Sequence, residues 1–111
     1  MEQLAPLFSA LGDPTRFAIV DRLLREGELS AGEISATAPI SSPAFSRHLK
    51  LLREAGLVDQ RVDRQRRLYS VRPDAVRRIS AWTMSHREFW ESSFDRLETA
   101  LTKHIKNHGR S

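Results

Sequence analysis

Two helix-start signals stand close together in the first half of the chain, and such a pair leaves room for little except two short helices joined by a tight turn. Ser30 precedes Glu33 by the spacing at which a serine hydroxyl and a glutamate carboxylate cap each other's backbone amides. Ser41 or Ser42 then offers a second cap with Pro43 just inside it, where proline's missing amide leaves no bond unmade. The first of these helices ends near Ala38-Pro39, and the second, with Phe45, Leu49 and Leu52 along one side, ends at Gly56. Residues 30–55 therefore read as a helix-turn-helix.

Upstream, Leu4, Leu7, Phe8 and Leu11 recur at helical spacing over residues 3–11, and Gly12 stops that helix. Asp13 caps another that begins at Pro14, carries Phe17, Ile19, Val20, Leu23 and Leu24, and closes at Gly27. Beyond Leu57 the period changes: Leu57, Val58, Val62, Leu68, Tyr69 and Val71 flank the polar tip Asp63-Arg64-Gln65-Arg66-Arg67, a two-stranded hairpin over 57–72 whose turn lacks glycine. Pro73-Asp74 opens a last helix over 74–106, with Val76, Ile79, Trp82, Phe89, Trp90, Phe94, Leu97, Leu101 and Ile105 on one broad stripe. The expected fold is mainly α with a small β-hairpin (α+β), a winged helix-turn-helix in the order α-α-α-α-β-β-α, and residues 1–111 make one domain.

A helix of roughly thirty residues is about 45 Å long, more than so small a core covers. A twofold homodimer is the simplest cover, using Leu4, Leu7, Phe8 and Leu11 of the N-terminal helix with Trp82, Phe89, Trp90, Phe94, Leu97 and Leu101. Packing back within the monomer is the alternative.

The formal net charge of +4 is unevenly spread. Between positions 41 and 78 ten basic residues, Arg47, Lys50, Arg53, Arg61, Arg64, Arg66, Arg67, Arg72, Arg77 and Arg78, meet four acidic ones, so this segment carries +6 and the remainder −2. A basic block in a mildly acidic chain suits a polyanion, because each neutralised phosphate releases condensed counterions; a solvated, salt-bridged surface is the bland alternative. The absence of cysteine excludes disulfides, a thiolate nucleophile and sulfur-based metal sites. There is no phosphate loop, Gly-x-Ser-x-Gly or His-Glu-x-x-His, and the four histidines are scattered, so an enzyme is not expected. With neither a basic-then-apolar leader nor a long apolar run, the expected location is the cytoplasm.

Three stretches are recognisable as they stand. Leu11-Gly12-Asp13-Pro14-Thr15-Arg16, then Glu28-Leu29-Ser30-Ala31-Gly32-Glu33-Ile34, then Phe45-Ser46-Arg47-His48-Leu49-Lys50-Leu51-Leu52-Arg53-Glu54-Ala55-Gly56-Leu57-Val58 resemble the ArsR family of bacterial winged-helix repressors, over residues 4–72. The resemblance implies a homodimeric transcriptional regulator, usually a repressor, that binds a short inverted-repeat operator in double-stranded DNA and often releases it on meeting a signal. Metal-sensing members carry cysteines where this chain has Ser30 and Gly32, and neither replaces a soft thiolate, so no metal or other cofactor is expected. Residues Trp82 to Leu101 resemble a metal-independent branch of the family.

In such a protein the second helix of the pair presents its N-terminal residues to the major groove. With Phe45, Leu49 and Leu52 inward, Ser42, Pro43, Ser46, Arg47 and Lys50 face out. Arg47 suits a guanine edge, Ser42 and Ser46 bases or phosphates, and Lys50 a phosphate. His48 contacts the DNA backbone or flanks the core, and Ser30 offers a hydroxyl and amides to a phosphate. Arg64, Gln65, Arg66 and Arg67 would lie along the minor groove, while Arg61 and Arg72 pair with Asp59, Asp63 or Asp74. Two other readings stay open: a winged-helix module that recruits a protein through its aromatic C-terminal helix, and a metal sensor using His104 and His108, four apart on one helical face. The signal is equally open between a small apolar ligand near Trp82, Phe89 and Trp90, a partner protein, and none.

Overall fold

The computed structural model describes residues 4–108, with side chains as far as Ile105. The chain divides into two compact units, one ending at Ile79 and the other beginning at Ser80.

In the first unit, local chemistry sets the helix ends. Helix α1 spans Leu4–Leu11 and α2 spans Pro14–Glu26. Extended Asp13 accepts the amide of Arg16 at 3.0 Å, and Pro14 takes the first helical position. A two-residue strand, β1 (Leu29–Ser30), leads into α3 (Ala31–Ser35). The capping box there is complete: Ser30 Oγ accepts the Glu33 amide at 3.1 Å and Glu33 Oε1 accepts the Ser30 amide at 3.0 Å. Helix α4 runs Ser42–Glu54, and Ser41 is its cap, accepting the Ala44 amide at 3.4 Å.

The end of α4 decides where the wing begins. Gly56 sits at φ 83°, its amide donates to Arg53 O at 3.0 Å, and the Leu57 amide reaches back to Leu52 O at 3.0 Å. This pair of bonds is a Schellman motif, and the apolar contact that accompanies such motifs is made by Leu52 and Leu57, both almost wholly buried. The chain then enters β2 (Val58–Asp63) and returns as β3 (Arg66–Val71), paired in antiparallel register from Val58↔Val71 to Asp63↔Arg66. Arg64 and Gln65 form the two-residue turn, and Arg64 adopts φ 61°. A positive φ at that place gives the twist a tight hairpin needs, without the glycine that usually supplies it.

Two differences from the sequence expectation concern the sheet and the first helix. The sheet has three strands, in the order β1-β3-β2, with Leu29 opposite Tyr69 and Ser30 opposite Leu68. A two-residue strand is too short to show a period, so β1 had no signal in the sequence. Leu7, expected at a dimer interface, is fully buried in the protomer's own core with Ile19, Val20, Leu23, Ile34, Phe45, Leu49, Leu52 and Tyr69. It has no surface to offer a partner. Leu4 and Leu11 pack against that core partly buried, whereas Phe8 is 42% exposed.

The expected single helix over 74–106 is instead two, α5 (Pro73–Ser85) and α6 (Arg87–His108). In an unbroken helix the His86 amide would bond Trp82 O. Ser85 Oγ takes that carbonyl at 2.7 Å, and the His86 amide turns to Thr83 O at 3.2 Å. A serine competing for a backbone carbonyl is a known route to a break. In the second unit, the rings of Trp82 and His86 meet edge-on at 5.2 Å, and those of Phe89 and Trp90 at 5.0 Å. Among the described residues α6 buries none of its side chains, and Phe89, Phe94, Leu97, Leu101 and Ile105 are each more than half exposed.

Replacing Gly56 with alanine forces a Cβ into a left-handed backbone, although nothing lies within 4 Å of where that atom would sit. Gly56→Ala is expected to destabilise the first unit by about 1–2 kcal/mol, read as a lower thermal midpoint. An unchanged midpoint would show that the α4 end does not depend on this geometry.

Candidate nucleic-acid interface

The amphipathicity of α4 builds the site. Phe45, Leu49 and Leu52 are buried, which leaves Ser42, Pro43, Ser46, Arg47 and Lys50 exposed on the opposite side. Among the described residues Arg47 has neither a hydrogen bond nor an ion pair. Lys50 pairs with Glu54 at 3.8 Å, but both side chains are largely exposed, and such pairs are worth little.

Between α3, α4 and β3 lies an open cleft of about 370 Å³. Phe45, Leu49 and Tyr69 line it, together with the hydroxyls of Ser35, Ser42 and Ser46 and the cations of Lys50, Arg53 and Arg67. The structure thus adds Arg53 and Ser35 to the expected set. Arg53 was legible in principle, since Ser42, Ser46, Lys50 and Arg53 repeat at helical spacing along one face.

Two expected DNA contacts have other partners. Ser30 was expected to offer amides and a hydroxyl to a phosphate, but the capping box occupies its amide and the acceptor side of its hydroxyl. His48, with a side chain 20% exposed, points its Nδ1 to Arg16 Nη1 at 3.2 Å. It flanks the core rather than the exposed row.

Ion pairs sort the arginines of the wing. Arg61 makes a bidentate pair with Glu28 at 2.7 and 2.8 Å, bracing β2 against the residue that precedes β1. The pairing partner is thus Glu28 and not an aspartate. Arg72 bonds Asp74 at 3.1 and 3.3 Å and approaches Asp59 at 3.7 Å, as expected, and Arg78 also reaches Asp74. Arg66, expected on DNA, lies 3.3 Å from Glu33 at the start of α3. The side chains of Arg64, Gln65 and Arg67 are exposed and have no hydrogen-bond or ion-pair partner among the described residues.

These pairs hold carboxyls below their ordinary range. The Arg61 hydrogen bond does so for Glu28, the Ser30 amide chiefly for Glu33, and the Arg72 hydrogen bond for Asp74. With Arg61, Arg72 and Arg78 tied to carboxylates and Lys50 and Arg66 in exposed pairs, the cations of the basic segment without an ion pair among the described residues are Arg47, Arg53, Arg64, Arg67 and Arg77.

Comparison with known proteins agrees with this geometry. The family model for a helix-turn-helix domain matches residues 11–61. The transcriptional regulator YgaV of Escherichia coli is 40% identical over 80 residues, 72% of this chain and 81% of the relative. The transcriptional repressor SdpR of Bacillus subtilis is 33% identical over 79 residues, 71% of this chain and 87% of that one. The crystal structure of an ArsR family transcriptional regulator superposes with a TM-score of 0.72 at 31% identity, over 82% of this chain and 93% of the other. The chain belongs to the ArsR family. This ArsR-family regulator is a winged helix-turn-helix protein that binds DNA and controls transcription, and it is not an enzyme. It has no cysteine, and so no thiolate to hold a soft metal. Among the described residues no three His, Asp or Glu side chains gather as metal ligands, and no helix is long and apolar enough to cross a membrane. The side chain of His108 lies outside the described residues.

Because the Glu28 carboxyl is held below its ordinary value of 4.5, the Arg61 brace is fully present above that value and is lost as pH falls through the lower folded one. Glu28→Gln should remove this acid dependence from amide exchange protection in β2 and β3. Equal acid sensitivity in the variant would place the cause elsewhere.

Proposed function

We propose that the protein is a repressor that binds an inverted-repeat operator as a homodimer, with Arg47 reading a base edge in the major groove. The observation that carries this reading is the unpaired, exposed guanidinium of Arg47 beside Ser42, Pro43, Ser46 and Lys50 on the face of α4 opposite Phe45, Leu49 and Leu52. Arginine's planar fork matches guanine O6 and N7, while the serines and Lys50 suit the neighbouring phosphates. Arg64, Gln65 and Arg67 at the tip of the wing reach the adjacent minor groove or its phosphates, with Arg66 joining them only if it leaves Glu33.

The dimer reading rests on exposed apolar side chains. Burying a large one fully is worth about 1.5–3 kcal/mol, and Phe89, Trp90, Phe94, Leu97 and Leu101 of α6, with Phe8 of α1 and the half-buried Trp82 of α5, offer several. Two protomers related by a twofold axis set two copies of α4 on successive turns of one groove, which is what an inverted repeat requires. The signal is then something other than a soft metal held by thiolates. A role on DNA also puts the protein in the bacterial cytoplasm.

Arg47→Ala should cost about 1–3 kcal/mol at the operator and relax selectivity at one base pair. Arg64→Ala with Arg67→Ala should instead weaken binding to all sequences and flatten the salt dependence by about 0.9 log-log units per lost phosphate contact. Unchanged operator affinity in the first variant would remove Arg47 from base reading, and a wild-type salt slope in the second would take the wing off the DNA.

Leu97→Glu with Leu101→Glu, both on exposed positions, should leave helicity intact and yield a monomer by light scattering. A persistent dimer would assign the α6 stripe to another partner, as in a module that recruits a protein.

A further inference from the structure

Arg16 stands where three helices meet. Its amide is held by Asp13 Oδ2, its Nε donates to Ala10 O at 2.8 Å near the end of α1, and its Nη1 lies 3.2 Å from Nδ1 of His48 on α4. A guanidinium stays charged and has only donors, so Nδ1 is the acceptor and His48 is neutral with its proton on Nε2.

The position of this bond matters more than its strength. His48 directly follows Arg47, on the shoulder of α4 between the buried and the exposed rows. Apolar packing through Phe45, Leu49 and Leu52 resists separation of α4 from the core but is not directional. A bond with a required angle fixes the rotation of α4 about its own axis, and any such rotation carries Arg47 with it. We propose that Arg16 is the positioning residue of the recognition helix, acting through its hydrogen bond to His48. The proposal rests on the reading that α4 enters the major groove.

Arg16 comes from α2, and Asp13, whose Oδ2 lies 3.9 Å from His48 Nδ1, caps that helix. Helix α1 contributes the Ala10 carbonyl and has no charged residue. On α4 itself, Glu54 lines an adjoining cleft with Arg16 and pairs with Lys50.

Two measurements test this. Nuclear magnetic resonance of the labelled protein without DNA reads the tautomer: Nε2–H is expected in the wild type near neutral pH, and a mixture in Arg16→Met. Anisotropy then compares a duplex enriched from a random pool by the wild-type protein with an unselected duplex. Arg16→Met should lose about tenfold in selectivity, the scale of one lost base contact. His48→Gln, whose amide oxygen still accepts from Arg16, should keep the wild-type selectivity. An Nδ1–H tautomer in the wild type, or loss of selectivity in His48→Gln, would overturn the proposal, and neither result depends on Arg16→Met folding. Failure to enrich any duplex would strike the groove reading, and the positioning role with it, while the tautomer alone decides whether the bond exists.

Discussion

Helix α4 has two faces and only one can be buried, and from that constraint the rest of the first unit follows. Leu52 and Leu57 are almost wholly excluded from water, and the Schellman turn between them requires the left-handed conformation that Gly56 supplies. Once those leucines are fixed, Phe45 and Leu49 fall on the same side by helical period, and Ser42, Ser46, Arg47 and Lys50 have no side left but solvent. The same turn sets the departure of β2, so the end of α4 and the start of the wing share one apolar contact, while the bond from Arg16 to His48 gives α4 a directional hold.

Electrostatics adds a second sorting. The basic segment looks uniform as a string of letters, yet its arginines do two different jobs. Arg61 and Arg72 are bound to carboxylates at hydrogen-bonding distance and serve as braces, whereas Arg47, Arg64 and Arg67 keep their donors unengaged. Exposed pairs add little to stability individually, so the value of the Glu28–Arg61 pair lies in where it holds β2, against the residue preceding β1. Arg66 stands between the classes: its pair with Glu33 is exposed and long enough for a phosphate to compete with it.

What the sequence disclosed and what it withheld divide along a physical line. Helix starts at Asp13, Ser30 and Ser41, and stops at Gly27 and Gly56, were legible because caps are made by residues three or four apart and need no tertiary partner. The exposed face of α4 was legible for the same reason. Strand β1 was not, since its pairing is with residues far along the chain and two residues carry no period. The break at His86 depends on which donor wins the Trp82 carbonyl, a competition that apolar periodicity does not encode. Leu7 shares its spacing with Phe8 and Leu11, and only the packed core distinguishes the buried residue from the exposed one. Likewise Arg61 had several carboxylates in reach by sequence, and the fold chose Glu28.

The lack of cysteine bears on how such a regulator is controlled. No thiolate is available here to hold a soft metal, Ser30 is committed to the capping box and Gly32 has no side chain. Helix α3 is stabilised by its own cap. Two other places remain open to a signal: the helices whose apolar side chains are uncovered, and the α1–α2 corner that touches α4 at His48. From the Ala10 carbonyl to His48, the residue beside Arg47, there is a single guanidinium, so α1 and α4 are joined by a polar link that does not pass through the apolar core.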